Sequence, residues 1–306
     1  MNNLLINNAY KIRLLDYSEG EAFKHMTYGR YKPYVAWMSC VSGVLFPVGL
    51  FYEGRPAGLL LGIGASSLKQ TEILSFFIER EHRGKNNAFK MLEFLEDKCR
   101  EAKIGAMNTF YFDNRPFVPL INNLLDKCGF APAEPELFLC KCKHEKNFTK
   151  MRALEYTDLP ADFETFKWAD MDPALKEKLK NEWENKEWFD NKLSPFACEK
   201  TIAPETSLWL RKCDDIVGWM ICNYYSADTI LYTSIFIMPE LQCAALGIAL
   251  LMRSIRAHIF SDLAEKYPYA LFEVRYDNQV MLKMVRKMFA RYVVEKYDRV
   301  TRKKIL

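Results

Sequence analysis

The sequence predicts an α/β protein made of two tandem domains, each a mixed central sheet flanked by helices. Its 306 residues match two domains at about 150 residues each. One order of elements, a hairpin, a strand, a loop, a helix, a strand and a helix, is legible in both halves. Landmarks recur at nearly one offset: Gly58 and Gly218 follow the hairpin turns, Arg83 and Gln242 open strand-to-helix loops, and Asn114 and Asn278 follow strands. The separations of these pairs, 160, 159 and 164 residues, point to duplication of one unit.

The elements follow in order. Tyr10–Leu15 alternates as a strand does, and Ser18–Ser39 reads as helical or irregular. Val48–Tyr52 and Ala57–Ala65 are apolar runs joined by the turn cluster Glu53-Gly54-Arg55-Pro56, which makes a hairpin. Thr71–Ile78 is a third strand. Asn87–Arg100 carries Ala88, Met91, Leu92 and Leu95 at helical spacing. A strand over Met107–Phe112 precedes a helix that stops at Cys128-Gly129-Phe130, with Gly just past the helix end. Strand-like Leu137–Cys142 leads into the polar stretch Lys143–Lys150, which sets the expected boundary between domains 1–146 and 147–306. The second half repeats the order with Leu208–Lys212, Val217–Tyr224, Thr229–Ile237, the helix Ala244–Ile259, Leu271–Tyr276, a helix over 278–288 and Tyr292–Tyr297.

Composition narrows the function classes. Half the residues are hydrophobic and 14% are aromatic, so each half can bury a core and disorder is excluded. A net charge of +4 is too small to indicate a nucleic-acid partner. No apolar run approaches the roughly 20 residues of a spanning helix, and a membrane partner is not expected. Nine cysteines without a C-x-x-C pair imply neither disulfide framework nor zinc finger. With no basic, apolar start of a signal peptide, they point to the cytoplasm.

Both strand-to-helix loops are built of small or polar residues. The first runs from Ile78 to Ala88 and contains Arg83, Gly84, Lys85, Asn86 and Asn87. The second runs from Ile237 to Gly247 and contains Gln242, Cys243, Ala244, Ala245 and Leu246. Small residues there let backbone N–H groups converge at the positive end of a helix, an arrangement that holds phosphate. The loops resemble the acyl-CoA loop of the GNAT (Gcn5-related N-acetyltransferase) superfamily, Gln/Arg-x-x-Gly-x-Gly/Ala. Arg83–Ala88 departs from it at Asn86, and Gln242–Gly247 at Ala245. Met238-Pro239-Glu240 resembles the x-Pro-Glu that often precedes the family loop.

The resemblance implies that the residues named from Ile78 to Ala88 and from Ile237 to Gly247 hold acetyl-CoA or another acyl-CoA. It also implies that Asn114 and Asn278 contact its arm. Helix capping is the alternative for both Asn residues. Glu72, eleven residues before Arg83, matches the general-base Glu of the histone acetyltransferases of the superfamily, and it also reads as an ordinary solvated strand residue. The second half has Leu231 at that place. The Tyr that often protonates the leaving thiolate is replaced by Ile121 and Val285.

The implied activity is acyl-CoA-dependent N-acylation, by direct transfer and without a metal, of a small-molecule or peptide amine. The rival readings are a FemABX-like aminoacyl-tRNA-dependent transferase and a non-catalytic acyl-CoA-binding protein. Asn86 tolerates a left-handed backbone, and only the first half has a carboxylate at the base position, so the chemistry is expected there. Cys140, Cys142 and His144 would share a strand face but lack a fourth metal ligand, and packing explains them. Trp168, Trp183, Trp188 and Phe189 are expected to pack, and Arg299–Lys304 to be a solvated basic tail.

Overall fold

The computed structural model describes residues 9–38, 43–65, 69–143, 152–185, 193–196 and 198–306. Twelve strands are present among them: β1 Tyr10–Leu14, β2 Val44–Tyr52, β3 Arg55–Ala65, β4 Gln70–Ile78, β5 Ala106–Phe112, β6 Glu134–Lys143, β7 Phe163–Lys167, β8 Leu208–Lys212, β9 Asp215–Ser226, β10 Thr229–Ile237, β11 Tyr269–Arg275 and β12 Val293–Ile305. The helices are α1 Gly20–Phe23, α2 Lys32–Trp37, α3 Asn87–Glu101, α4 Val118–Lys127, α5 Pro173–Glu184, α6 Leu246–Ile259, α7 Leu263–Lys266 and α8 Gln279–Phe289.

The chain packs as two compact units, Met1–Glu136 with Asp298–Leu306, and Leu137–Tyr297. In the first unit β1, β2, β3 and β4 are antiparallel neighbours, β4 and β5 are parallel, and β5 pairs antiparallel with β12. The second unit repeats the pattern: β7, β8, β9 and β10 are antiparallel, β10 and β11 parallel, and β11 pairs antiparallel with β6.

The units differ from the expected division at 146/147 because the terminal strands are exchanged. β6 follows α4 as β12 follows α8, yet each completes the sheet of the other repeat. Apolar residues of the exchanged strands enter the receiving cores. Val300 packs with Met91, Leu95 and Tyr111 in the first unit, and Phe138, Cys140 and Cys142 pack with Leu250, Ile255 and Phe272 in the second.

The basic C-terminal segment is therefore no solvated tail. Arg302 is 3% exposed; its guanidinium donates to the Ala131 carbonyl at 2.7 Å and to the Asp126 carboxylate at 2.6 Å. A buried cation persists because its donors are matched in this way. Other elements shift at their ends. β2 starts at Val44 rather than Val48, and residues 239–244 form a 3₁₀ turn, so α6 begins at Leu246. Residues 144–151, His144 among them, and also Trp188 and Phe189, lie outside the described residues. Trp168 packs in the core with Leu179 and Trp219.

The repeated glycines have a steric cause. A Cβ on Gly58 would lie 2.9 Å from the Phe77 carbonyl oxygen, and one on Gly218 would lie 2.5 Å from that of Phe236. Real Cβ atoms do not approach backbone so closely, and the hairpin is pressed against the neighbouring strand at this point in both units.

His258 on α6 is fully buried. Its Nε2–H donates to the Tyr267 carbonyl at 2.9 Å, and the Tyr232 hydroxyl donates to Nδ1 at 3.2 Å. Burial pushes its pKa down to about 4. The unfolded chain therefore binds the proton first, and stability present above pH 6.5 is lost as pH falls from 6.5 toward 4. The loss is on the order of 3 kcal/mol. Urea unfolding at pH 7.5 and 4.5 should show it, and a His258→Gln variant should flatten that part of the pH dependence.

Candidate active site

In both units the parallel strand pair opens into a fork. β4 and β5 pair from Gln70↔Ala106 to Ile73↔Thr109 and then separate, although β4 runs on to Ile78 and β5 to Phe112. β10 and β11 pair from Thr229↔Tyr269 to Tyr232↔Phe272 and separate likewise. Each fork starts at a bulge. Leu61 opposes Ser75 and Gly62 opposes Ile73, so Leu74 has no partner on β3; Thr233 is skipped on β9 in the same way. An extra residue bends its strand and ends the pairing there. Beyond Ile73 and Thr109 the two strands no longer run in register.

The loops lie at the ends of the forked strands β4 and β10. Asn86 (φ 61°) and Ala245 (φ 57°) adopt the left-handed conformation immediately before α3 and α6. The first motif residue ties each loop to its strand: Arg83 Nε donates to the Ile78 carbonyl at 2.7 Å, and Gln242 Nε2 to the Ile237 carbonyl at 3.0 Å. Asn87 Nδ2 adds a bond to the His82 carbonyl at 3.1 Å. Among the described residues, the N–H groups of Gly84, Lys85, Asn86, Asn87 and Ala88 have no acceptor in the chain. Five donors at the positive end of a fifteen-residue helix form an anion cradle. In the second loop the N–H groups of Leu246 and Gly247 are equally unclaimed among the described residues.

Residues 6–130 match the acetyltransferase (GNAT) family model. The matched segment falls in the first unit; over the whole chain the likeness to this family is one of fold. Its two-unit fold is similar over 95% of its length to a tandem GNAT protein from the clavulanic acid biosynthesis pathway, solved without acetyl-CoA. That similarity covers 98% of the other chain, with a TM-score of 0.62 and 9% identity. A GCN5-related N-acetyltransferase from Sphaerobacter thermophilus is similar over 97% of this chain and 96% of its own, with a TM-score of 0.61 and 13% identity. No curated protein matches the sequence. Among the described residues, no helix is long and apolar enough to cross a membrane.

The two strand-to-helix loops differ in strain and charge. Asn tolerates the left-handed conformation, whereas Ala pays about 1–2 kcal/mol for it. The first loop carries Arg80, Arg83 and Lys85 together with Glu79 and Glu81. The concavity beside the second, about 520 Å³, is lined by Glu182, Asp214, Asp215 and Glu240 against Lys178 and Lys212. The first loop has one more cation than anion, whereas that concavity sets four carboxylates against two lysines.

Glu72 is half-buried on β4, paired with Ile63 on β3 and Asn108 on β5. Thr71 and Ile73 point to the α3 side, where Thr71 Oγ1 accepts from Cys99 Sγ and Ile73 packs with Met91 and Leu92. Alternation sends Glu72 to the opposite face, toward the α1–α2 segment. Burial raises the Glu72 pKa from its ordinary value; Arg299 and Arg30 counter that, and Glu136 adds to it. Tyr31, which precedes α2, faces the same region. Its phenol is raised first by burial, lowered by Arg30 and raised again by Glu72. Asn108 Oδ1 and Thr27 Oγ1 are buried without a partner among the described residues. The second unit has Leu231 paired with Leu271 where the first has Glu72 and Asn108.

The two predicted Asn contacts separate. Asn278 caps α8, its Oδ1 accepting the Met281 N–H at 3.1 Å. Asn114 is exposed in the turn after β5, and the α4 cap is Phe117 instead. Arg299, Glu136, Asn108 and Tyr31 around Glu72 were not among the candidate residues. For Arg299 the signal was the alternation of apolar Val300 with its charged neighbours, which marks a strand.

Proposed function

We propose that the chain is an acyl-CoA-dependent N-acyltransferase, most simply an N-acetyltransferase, with the first unit binding acetyl-CoA and carrying the chemistry. The observation that carries this reading is the coincidence in one unit of cradle, fork and carboxylate. The unclaimed amides of Gly84–Ala88 are suited to a pyrophosphate, with Arg80, Arg83 and Lys85 adding charge. The unpaired edges of β4 and β5 offer strand-like hydrogen bonds to the two amides of a pantetheine arm. An arm laid along the fork brings its thioester toward the bulge at Leu74, beside Glu72.

Glu72 then takes a proton from the acceptor ammonium, freeing the nitrogen lone pair. The amine attacks the thioester carbonyl, a C–N bond forms, the C–S bond breaks, and the thiolate leaves to be protonated to the free thiol. The amide nitrogen gives up its second proton, so the products are an N-acyl amine and CoA. Asn114 is proposed to contact the arm, since it is exposed just beyond the fork; Asn278 is occupied as a cap. The second unit keeps the fork and loop but has leucines at the site of the base, and it is assigned as a degenerate copy with Gln242–Gly247 as a weaker cradle.

Calorimetry with acetyl-CoA should give a dissociation constant between about 1 μM and 1 mM, the common range for enzyme substrates. Thiol release with a panel of primary amines should exceed the rate without amine. No heat and no release from folded protein would refute the reading.

A further inference from the structure

Resting on the reading of Glu72 as the base, we propose that Arg299, a residue of the exchanged C-terminal strand, is the positioning counter-charge that keeps this carboxylate able to accept a proton, with Glu136 fixing the guanidinium.

The geometry is set by register. Across β5 and β12, Arg299 opposes Phe112, Thr301 opposes Phe110 and Lys303 opposes Asn108. Asn108 itself opposes Glu72. Paired residues share a face, and so do every second residues along a strand. Glu72, Asn108, Phe110, Phe112, Thr301 and Arg299 therefore lie on one face. The opposite face is taken by Met107, Tyr111 and Val300, which pack with α3 and α4 residues.

Arg299 leans back along that face. Its guanidinium carbon stands 5.0 Å from the centre of the Phe110 ring, one step along β5 from Asn108 and toward β4. Glu136 holds one terminal nitrogen at 2.9 Å. Nε is buried with no partner among the described residues, so the salt bridge does not use up the donors. A guanidinium held over an aromatic ring and pinned at one end has little freedom, which is what a fixed field requires.

The groups facing Glu72 are Arg30 and Tyr31 from the α1–α2 side, Arg299 and the exposed Lys303 from β12, and Glu136 from the start of β6. Arg299 exerts the largest charge effect among them. Without it, burial and Glu136 act on Glu72 opposed by the exposed Lys303 and by Arg30, which is exposed and lies 4.5 Å over the Tyr31 ring. The carboxylate would then bind a proton more readily, and less of it would be ready to take one from the amine.

The test is a carbon-13 NMR titration of the Glu72 side-chain carboxyl in the full-length chain, the signal assigned by its loss in Glu72→Gln. It needs no acceptor substrate. Arg299→Gln should move the midpoint up, as loss of a nearby opposite charge does. Arg299→Lys should stay near wild type, and Glu136→Gln should move the midpoint down. A merely structural role would not give opposite signs for the two partners. An unmoved midpoint in folded Arg299→Gln overturns the proposal. Should that variant fail to fold, an unmoved or raised midpoint in Glu136→Gln overturns it. If Glu72→Gln keeps full turnover, the base assignment itself has failed and the proposal falls with it; if Glu72→Gln is inactive and the midpoints do not move, only Arg299 is displaced.

Discussion

Glu72→Gln should lower kcat roughly 10²-fold or more while leaving the affinity for acetyl-CoA nearly unchanged. A positioned base contributes on that scale, and the amide keeps the size of the side chain while losing its basicity. The cofactor elements, Arg83–Ala88 and the fork beyond Ile73, are untouched. Steady-state turnover and acetyl-CoA calorimetry read the two effects separately. The same change should leave the protein at least as stable near neutral pH. Burial raises the Glu72 pKa, so the folded state binds its proton more readily than the unfolded one. Stability from this group is present below the ordinary carboxyl range and declines as pH rises through the raised value. Gln carries no charge to bury, so its thermal midpoint should equal or exceed wild type at pH 7.5, with the gap closing at pH 4. Unchanged turnover from pH 6 to 9 would return Glu72 to an ordinary strand position.

Ala88→Glu should abolish detectable acetyl-CoA binding, and Gly247→Glu should not. Ala88 is the second residue of α3, where its N–H is one of the unclaimed cradle donors. A carboxylate placed about 4 Å from a bound phosphate costs about 4 kcal/mol at an effective dielectric constant near 20. That is a loss of about 10³-fold in affinity. An acidic side chain in the first turn of a helix is otherwise favourable, so loss of binding would not come from unfolding. Gly247 has room as well, since a Cβ there meets nothing closer than 3.9 Å. The pair of variants therefore compares two cradles and not two packing defects. Loss of binding only in Gly247→Glu would assign the cofactor to the second unit.

What was legible in the sequence was local. The loop residues Arg83 to Ala88 are contiguous, and their small side chains and capping pattern need no tertiary information. Glu72 could be found because its distance from Arg83 is fixed by a single strand. The left-handed backbone at Asn86 follows from residue type. The forks could not be read from the residues alone, because they depend on bulges at Leu74 and Thr233 that leave no mark in an apolar run. The exchange of terminal strands could not be read for a related reason. Polar Lys143–Lys150 marks a connection between elements, whereas the partner of a strand is chosen across the whole chain. Arg299 and Arg302 read as solvated because charge usually signals solvent; their burial depends on Glu136, Asp126 and the Ala131 carbonyl, all more than 160 residues away.

Exchange of β6 and β12 also governs the order in which the protein can be made. During synthesis β5 leaves the ribosome with no antiparallel neighbour, because the strand that covers its edge is encoded some 185 residues later, as the bond from the Asp113 amide to the Asp298 carbonyl shows. At about 5–20 residues per second the first unit waits on the order of 10 to 40 s with a sheet edge open to other chains. A nascent chain of this kind is exposed to chaperones and to mispairing for most of its translation, and its first unit becomes complete only after its second has been synthesised.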